Sequence, residues 1–279
     1  MLGTSHISGN ARMPLGKRFG LNSRRAVASV LPFATASADL SQSYTVKLPI
    51  GKSLTIDWGD GSSDDYAGND NTNVAVTHTY SGAGSYDIIF KGDYLDLTVL
   101  HCTSNFLTGD VSGWSALTSL TYLSCDYNSL TGDVSGWSAM TSLTDLSCGS
   151  NSLTGDVSGW SALTSLTYLY CTGNLLSGDV SSWSALTLLT YLSCYNNSLD
   201  FDNTTAWAAL SLGATYFSNN AMTSTQVNNA LIAFSGGPFL NTTIYLDGNN
   251  AARTAASDAA VSTLITAGCT VITNGLVES

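Results

Sequence analysis

Six cysteines and three histidines are where nucleophilic or metal chemistry would have to begin in this 279-residue chain. A thiol nucleophile needs a base beside it in a converging pocket. His6 stands near the start, His78 follows a Gly- and Asp-rich stretch, and His101 immediately precedes Cys102. Neighbours on a strand face opposite sides, so His101 and Cys102 cannot act as a dyad. Zinc would need paired ligands at short spacing, and no Cys-x-x-Cys or histidine cluster occurs. The chain has one glutamate, Glu278, and neither a Gly-rich phosphate loop nor a Gly-x-Ser-x-Gly elbow. The inventory points away from an enzyme and from a resident cofactor.

Carboxylates are the remaining candidates. Asp57, Asp60, Asp64, Asp65 and Asp70 are close enough in sequence to offer oxygen ligands to Ca²⁺. Asp and Gly also make tight turns unaided, and that is the simpler reading. Asp110, Asp133, Asp156 and Asp179 recur at one fixed spacing. Turn capping suits them better than a cation site, with mutual repulsion expected to raise some of their pKa values.

Those spacings belong to a repeat. Leu107-Thr-Gly-Asp-Val-Ser-Gly-Trp114 returns as Leu130 to Trp137, as Leu153 to Trp160 and, with Ser177 for Thr and Ser182 for Gly, as Leu176 to Trp183, each step 23 residues. A unit this short cannot bury its own apolar face, whereas stacked copies share a continuous core. Cys102, Cys125, Cys148, Cys171 and Cys194 then occupy one inward strand position. Parallel in-register thiols point the same way and reach disulfide geometry poorly, so a column of free buried cysteines is expected, with Cys269 also in the core. Counting strands by their second apolar residue continues the column through Phe217, Leu246 and Val271. Asn105, Asn128, Asn151, Asn174, Asn197, Asn220, Asn249 and Asn274 follow three residues behind, giving about eight turns. That asparagine ladder should bond the backbone of adjacent turns. Trp114, Trp137, Trp160 and Trp183 should stack as a packed spine, in preference to sugar binding. Helical periodicity appears only at Thr225–Phe234 and Thr254–Ala267; the Ser-Gly-Trp-Ser-Ala segments allow no more than a turn.

The pattern Leu117-x-x-Leu120-x-x-Leu123-x-Cys125-x-x-Asn128-x-Leu130-x-Gly132 resembles the leucine-rich repeat, and Leu-Thr-Gly-Asp-Val resembles its plant-type form with a second short strand. The resemblance covers residues 98–274. Residues 39–97 differ: Tyr44, Val46, Leu48, then Leu54, Ile56, Trp58, then Tyr86, Ile88, Phe90 alternate as antiparallel strands. Thr55-Ile-Asp-Trp-Gly-Asp-Gly61 followed by His78-Thr-Tyr-Ser-Gly-Ala-Gly-Ser-Tyr86 resembles the polycystic-kidney-disease (PKD) domain, an immunoglobulin-like sandwich. At this length a strand is either missing or shared with the solenoid, whose apolar end the sandwich would cap. The expected fold is mainly β: a basic extended arm over 1–38, a PKD-like sandwich over 39–97, and a leucine-rich-repeat solenoid over 98–279 with helices only in its last two turns.

Charge separates the arm from the rest. Arg12, Lys17, Arg18, Arg24 and Arg25 give the first 25 residues a charge of +5, while 20 carboxylates against four basic residues leave −16 from Asp39 onward. The arm could dock on an acidic neighbour, such as a capsid or tail protein; the body would repel nucleic acid. No run approaches the ~20 apolar residues of a membrane span. Arg24-Arg25 before a weakly apolar run, and Ala36-Ser37-Ala38, have the outline of a cleaved leader. A start at Met1 favours a retained arm. Charged residues make up only 10% of the chain, a composition of extracellular or particle-surface β proteins.

Comparing the repeats with one another locates a face. Their convex halves are nearly identical, but Tyr122, Ser124, Asp126, Tyr127 become Asp145, Ser147, Gly149, Ser150, then Tyr168, Tyr170, Thr172, Gly173, then Tyr191, Ser193, Tyr195, Asn196. Variation confined to the concave strands suits recognition of a host-surface protein or glycan, since Tyr supplies rigid contact area with a polar tip; strand propensity alone is the competing explanation. The expected ligand face is Tyr122, Asp126, Tyr127, Asp145, Tyr168, Tyr170, Tyr191, Tyr195 and Asn196. The segment from Asn249-Asn-Ala-Ala-Arg-Thr-Ala-Ala to Ala267-Gly-Cys-Thr-Val-Ile-Thr-Asn274 is similar to a C-terminal cap in repeat proteins of tailed phages and Bacteroidetes-type bacteria. These readings imply a virion surface, decoration or fibre protein; a secreted bacterial adhesin and a purely structural decoration protein are the alternatives, and association with further copies of the chain stays open.

Overall fold

The computed structural model describes residues 33–36, 41–69, 72–82 and 84–279. The arm residues Arg12, Lys17, Arg18, Arg24 and Arg25, together with Asp70, lie outside them. Six strands come first: β1 (Phe33–Ala36), β2 (Ser41–Lys47), β3 (Ser53–Asp57), β4 (Ser63–Ala67), β5 (Val74–Thr79) and β6 (Ser85–Gly92). The chain then alternates between two sheets through β7 (Val99–His101), β8 (Leu107–Asp110), β9 (Tyr122–Ser124), β10 (Ser129–Asp133), β11 (Asp145–Ser147), β12 (Ser152–Asp156), β13 (Tyr168–Tyr170), β14 (Leu175–Asp179), β15 (Tyr191–Ser193) and β16 (Ser198–Asp200). It closes with β17 (Ala214–Tyr216), helix α1 (Ser224–Ser235), β18 (Thr243–Leu246), helix α2 (Asp258–Thr266), β19 (Thr270–Thr273) and β20 (Leu276–Glu278).

One sheet ends at β16, before the helical turns, and the other spans the described chain to its last strand. One has the order β16-β14-β12-β10-β8-β1-β6-β3-β4, the other β20-β19-β18-β17-β15-β13-β11-β9-β7-β2-β5. From β7 to β19 the solenoid strands are parallel to their solenoid neighbours, as stacking of a repeated unit requires, and β20 closes the sheet antiparallel to β19. β1 pairs with β6 on one side and β8 on the other, and β2 lies between β5 and β7. The first six strands thus extend both solenoid sheets, the sharing that their short length had suggested, and a single core runs from Tyr44 to Val271.

Like residues do form layers. The five ladder cysteines and Cys269 are all free and buried. Trp114, Trp137, Trp160 and Trp183 are fully buried and stack with centroids 6.2–6.3 Å apart and planes within 8°. Each indole after the first donates to a carbonyl of the preceding turn: Trp137 to Val111, Trp160 to Val134, Trp183 to Val157. Trp207 continues the series by donating to Ser181. Between strands, Ser112–Ala116, Ser135–Ala139, Ser158–Ala162 and Ser181–Ala185 make single 3₁₀ turns, and α-helices occur only at α1 and α2 among the described residues. Thr223 starts α1 with a capping box: its hydroxyl accepts from the Gln226 amide, and Gln226 accepts from the Thr223 N–H.

The asparagine ladder works as expected in the regular turns. Asn151 donates to the carbonyls of Cys125 and Cys148 and accepts from the Leu130 N–H. At the first rung Asn105 accepts from the Ser43 N–H and donates to the Ser43 carbonyl, tying β2 to the solenoid. Two expectations at the far end need correcting. Val271 pairs with Ile244, and it is Thr273 that aligns with Leu246 in the cysteine column. Asn250, 1% exposed, takes the ladder position given to Asn249, bonding the backbone of Asn220, Met222, Phe217 and Leu246. The turn there is longer by one residue, which Gly248 accommodates at φ +79°.

Candidate functional site

The expected ligand residues fall into two groups on the outer face of the 11-stranded sheet. Tyr122, Asp145, Tyr168 and Tyr191 are register neighbours on β9, β11, β13 and β15, forming one row across the strands. The Tyr168 and Tyr191 rings stack at 4.6 Å with planes 7° apart. One position further along each strand pair, Tyr170 occupies the space where a side chain on Gly149 would stand. Burial raises the pKa of the Tyr170 hydroxyl, and Thr172, Tyr127 and Tyr195 lie close enough to interact with it electrostatically. Tyr127 (59% exposed) and Asn196 sit at the strand ends with φ of 53° and 55°, the left-handed bend that ends each inner strand.

Asp126 differs from the others in its surroundings. It is 6% exposed and its carboxylate is consumed internally, accepting from the Gly149 N–H at 2.7 Å and from the Ser124 hydroxyl at 3.1 Å. Where the next turn has only a glycine, an aspartate can fold down over it and serve as a backbone brace.

Other aromatic residues extend the face beyond the expected set. Tyr216 and Tyr245 stack at 4.9 Å with planes 11° apart, in register with Ser193. His101 lies 6.2 Å from Tyr122. Counting the outward column through the two lengthened turns would have found both tyrosines. Two hollows open on this face. One, of about 330 Å³, is lined by Thr45, Asn73, Val99, His101 and Tyr122; the other, of about 230 Å³, by Tyr122, Asp145, Ser147 and Tyr168. Tyr122 is the wall between them.

The thiols and carboxylates make contacts within the fold. Burial raises the thiol pKa of Cys102, Cys125, Cys148, Cys171 and Cys194, which keeps them protonated and poorly nucleophilic. In the Asp-rich segment, Asp57 pairs with Lys91, Asp60 with His78 and Ser62, Asp64 with the Trp58 indole, and Asp65 with Thr55. The Ser62 hydroxyl, foremost, holds Asp60 down at about 2. Asp110, Asp133 and Asp156 correct another expectation: their pKa values are lowered, Asp110 and Asp133 chiefly by the amides of Ser112 and Ser135, and Asp156 chiefly by the Ser158 hydroxyl and then its amide. Those bonds outweigh repulsion between exposed charges in water. Among the described residues no group of three or more His, Cys, Asp or Glu side chains could hold a metal ion, and no helix is long and apolar enough to cross a membrane.

This geometry defines the class: a leucine-rich-repeat solenoid whose regular layers are structural and whose one variable face is aromatic. The chain is similar to the functional domain of InlJ from Listeria monocytogenes, which includes a cysteine ladder (33% identity, TM-score 0.41, 58% of this chain and 32% of that one). It is also similar to the internalin InlF of L. monocytogenes (21%, 0.43, 61% and 45%) and to the leucine-rich-repeat ectodomain of the receptor kinase SOBIR1 from Arabidopsis thaliana (28%, 0.33, 36% and 59%). The chain spans less than two-thirds of each. No family model and no curated protein matches it.

Proposed function

We propose that this chain is a non-enzymatic surface protein of a tailed-phage virion that displays its aromatic face for adhesion to a host-surface protein or glycan. The observation that carries this is the contrast between faces. The outer sheet repeats Leu-Thr-Gly-Asp in three turns and Leu-Ser-Gly-Asp in the fourth, whereas the inner-sheet row changes from Tyr122 to Asp145, Tyr168 and Tyr191 and gathers half-buried rings beside two hollows. Stacking alone would let both exposed faces drift equally. In this reading residues 1–38 anchor the chain through their +5 charge to an acidic capsid or tail protein, residues 39–97 serve as a PKD-like spacer and cap, and residues 98–279 present the face.

Pairing of β1 on both sides supports a retained arm over a cleaved leader, because cutting after Ala38 would remove the strand that bridges β6 and β8. Two measurements test the proposal. Host-cell and glycan-array binding of a Tyr168, Tyr170, Tyr191 and Tyr195 to alanine variant should fall at least tenfold; unchanged binding by a folded variant leaves the purely structural decoration role. N-terminal sequencing of the native protein should find residues upstream of Phe33, whereas a mature end near Asp39 would mean a secreted adhesin.

A further inference from the structure

The row of tyrosines is interrupted once, and the interruption is charged. On β11 the position between Tyr122 and Tyr168 holds Asp145, in register with both. Tyr168 lies parallel to Tyr191 at 4.6 Å, close to the ~4.8 Å between neighbouring strands, so its ring faces look along the row. One face covers Tyr191. The other looks across Asp145 toward Tyr122, and the space between is the hollow of about 230 Å³ that these three residues line with Ser147. The Thr144 hydroxyl lies 2.7 Å from one oxygen of Asp145 and 2.9 Å from the Thr121 carbonyl, so its single proton is shared between them, and among the described residues no other donor meets the Asp145 carboxylate.

We propose that this slot takes the guanidinium group of an arginine on the partner protein. The inference rests on the reading of this sheet as a recognition face and names the chemistry of its contact. A planar cation entering in register continues the Tyr191–Tyr168 stack by one strand spacing and lies over the carboxylate below. Guanidinium combines the three properties the slot asks for: a flat face for a ring, positive charge, and a fork of donors for a carboxylate. An ammonium group lacks the plane, and a neutral sugar ring makes no use of the charge. The long-range field agrees, since the chain from Asp39 onward carries 20 carboxylates against four basic residues.

The test titrates the ¹⁵N-labelled full chain with acetyl-Gly-Arg-Gly-amide, its lysine counterpart, its neutral citrulline counterpart, and cellohexaose. The arginine peptide should shift the amides of Tyr122, Asp145, Ser147 and Tyr168 and bind at least tenfold more tightly than the citrulline peptide. Asp145→Asn and Tyr168→Ala should each weaken it tenfold or more, while Asp133→Asn on the opposite sheet should change nothing. Equal binding of arginine and citrulline peptides, shifts spread evenly over the acidic surface, or full binding by Asp145→Asn overturns the proposal. So does cellohexaose filling the slot with no dependence on Asp145, an outcome that removes the arginine contact and leaves the recognition face standing. If no probe shifts the slot, the arginine contact is wrong, and the tetra-tyrosine variant decides the face independently.

Discussion

Asp200 stands where earlier turns carry a hydroxyl. Thr131, Thr154 and Ser177 each donate to a carbonyl of the preceding turn, at Gly109, Gly132 and Gly155. An ionised carboxylate cannot donate, and Asp200 is in register with Asp179. Partial burial, then Asp202, Asp179 and Asp156, push its pKa up to about 6. A raised carboxylate favours the fold when neutral, so its contribution is whole below an unfolded value of about 3.9 and is lost as the pH rises through about 6. Asp200→Asn should therefore raise Tm by about 2–4 °C at pH 8 and leave it unchanged at pH 4, since solvent screening limits the effect to about 1 kcal/mol. Thermal unfolding at the two pH values checks this, and equal shifts at both would rule it out.

The elements of the solenoid are held by what crosses between turns more than by what lies within them. Inner strands of three or four residues and single 3₁₀ turns have little stability alone. The asparagine ladder supplies the cross-links, and its continuation through the lengthened turn after β18 is a sharp case. Asn250→Ala deletes two accepted and two donated bonds at a fully buried site, and should cost about 3 kcal/mol or more. Asn249→Ala removes one bond from the Ala221 N–H at an exposed site, and should cost under about 1 kcal/mol. Urea denaturation of both variants compares them; the reverse order would mean the ladder has been traced wrongly.

Over the whole molecule, two sheets and one apolar core pass from the first strands into the solenoid without a break. Trp58 lies in that core at the N-terminal end, stacked on His78 and hydrogen-bonded to Asp64. Trp58→Ala should cost about 3–5 kcal/mol. Shared strands should pass that loss to the repeats, so near-UV circular dichroism and exposure of the buried thiols should shift together to lower urea in one transition. Thiol exposure left at its wild-type midpoint would show that the two regions unfold separately.

Spacing was enough to reveal the layers. Residues 23 apart must stack if the repeat coils, so the cysteine column, the tryptophan spine, the asparagine rungs and the row containing Tyr122, Asp145, Tyr168 and Tyr191 were legible before any coordinates. The sequence also showed that helices belong to the last two turns, where an amphipathic period replaces Ser-Gly-Trp. Tertiary structure decided what depends on register between unequal or distant segments. It gave Asn250 the rung assigned to Asn249, added Tyr216 and Tyr245 to the face, and joined β1 and β2 to the solenoid sheets. It also set the Asp126 carboxylate on the Gly149 amide and lowered the outer aspartates that repulsion was expected to raise. A fixed repeat length predicts its own neighbours; where the length changes, or where a carboxylate finds an amide, only the folded packing says which contact wins.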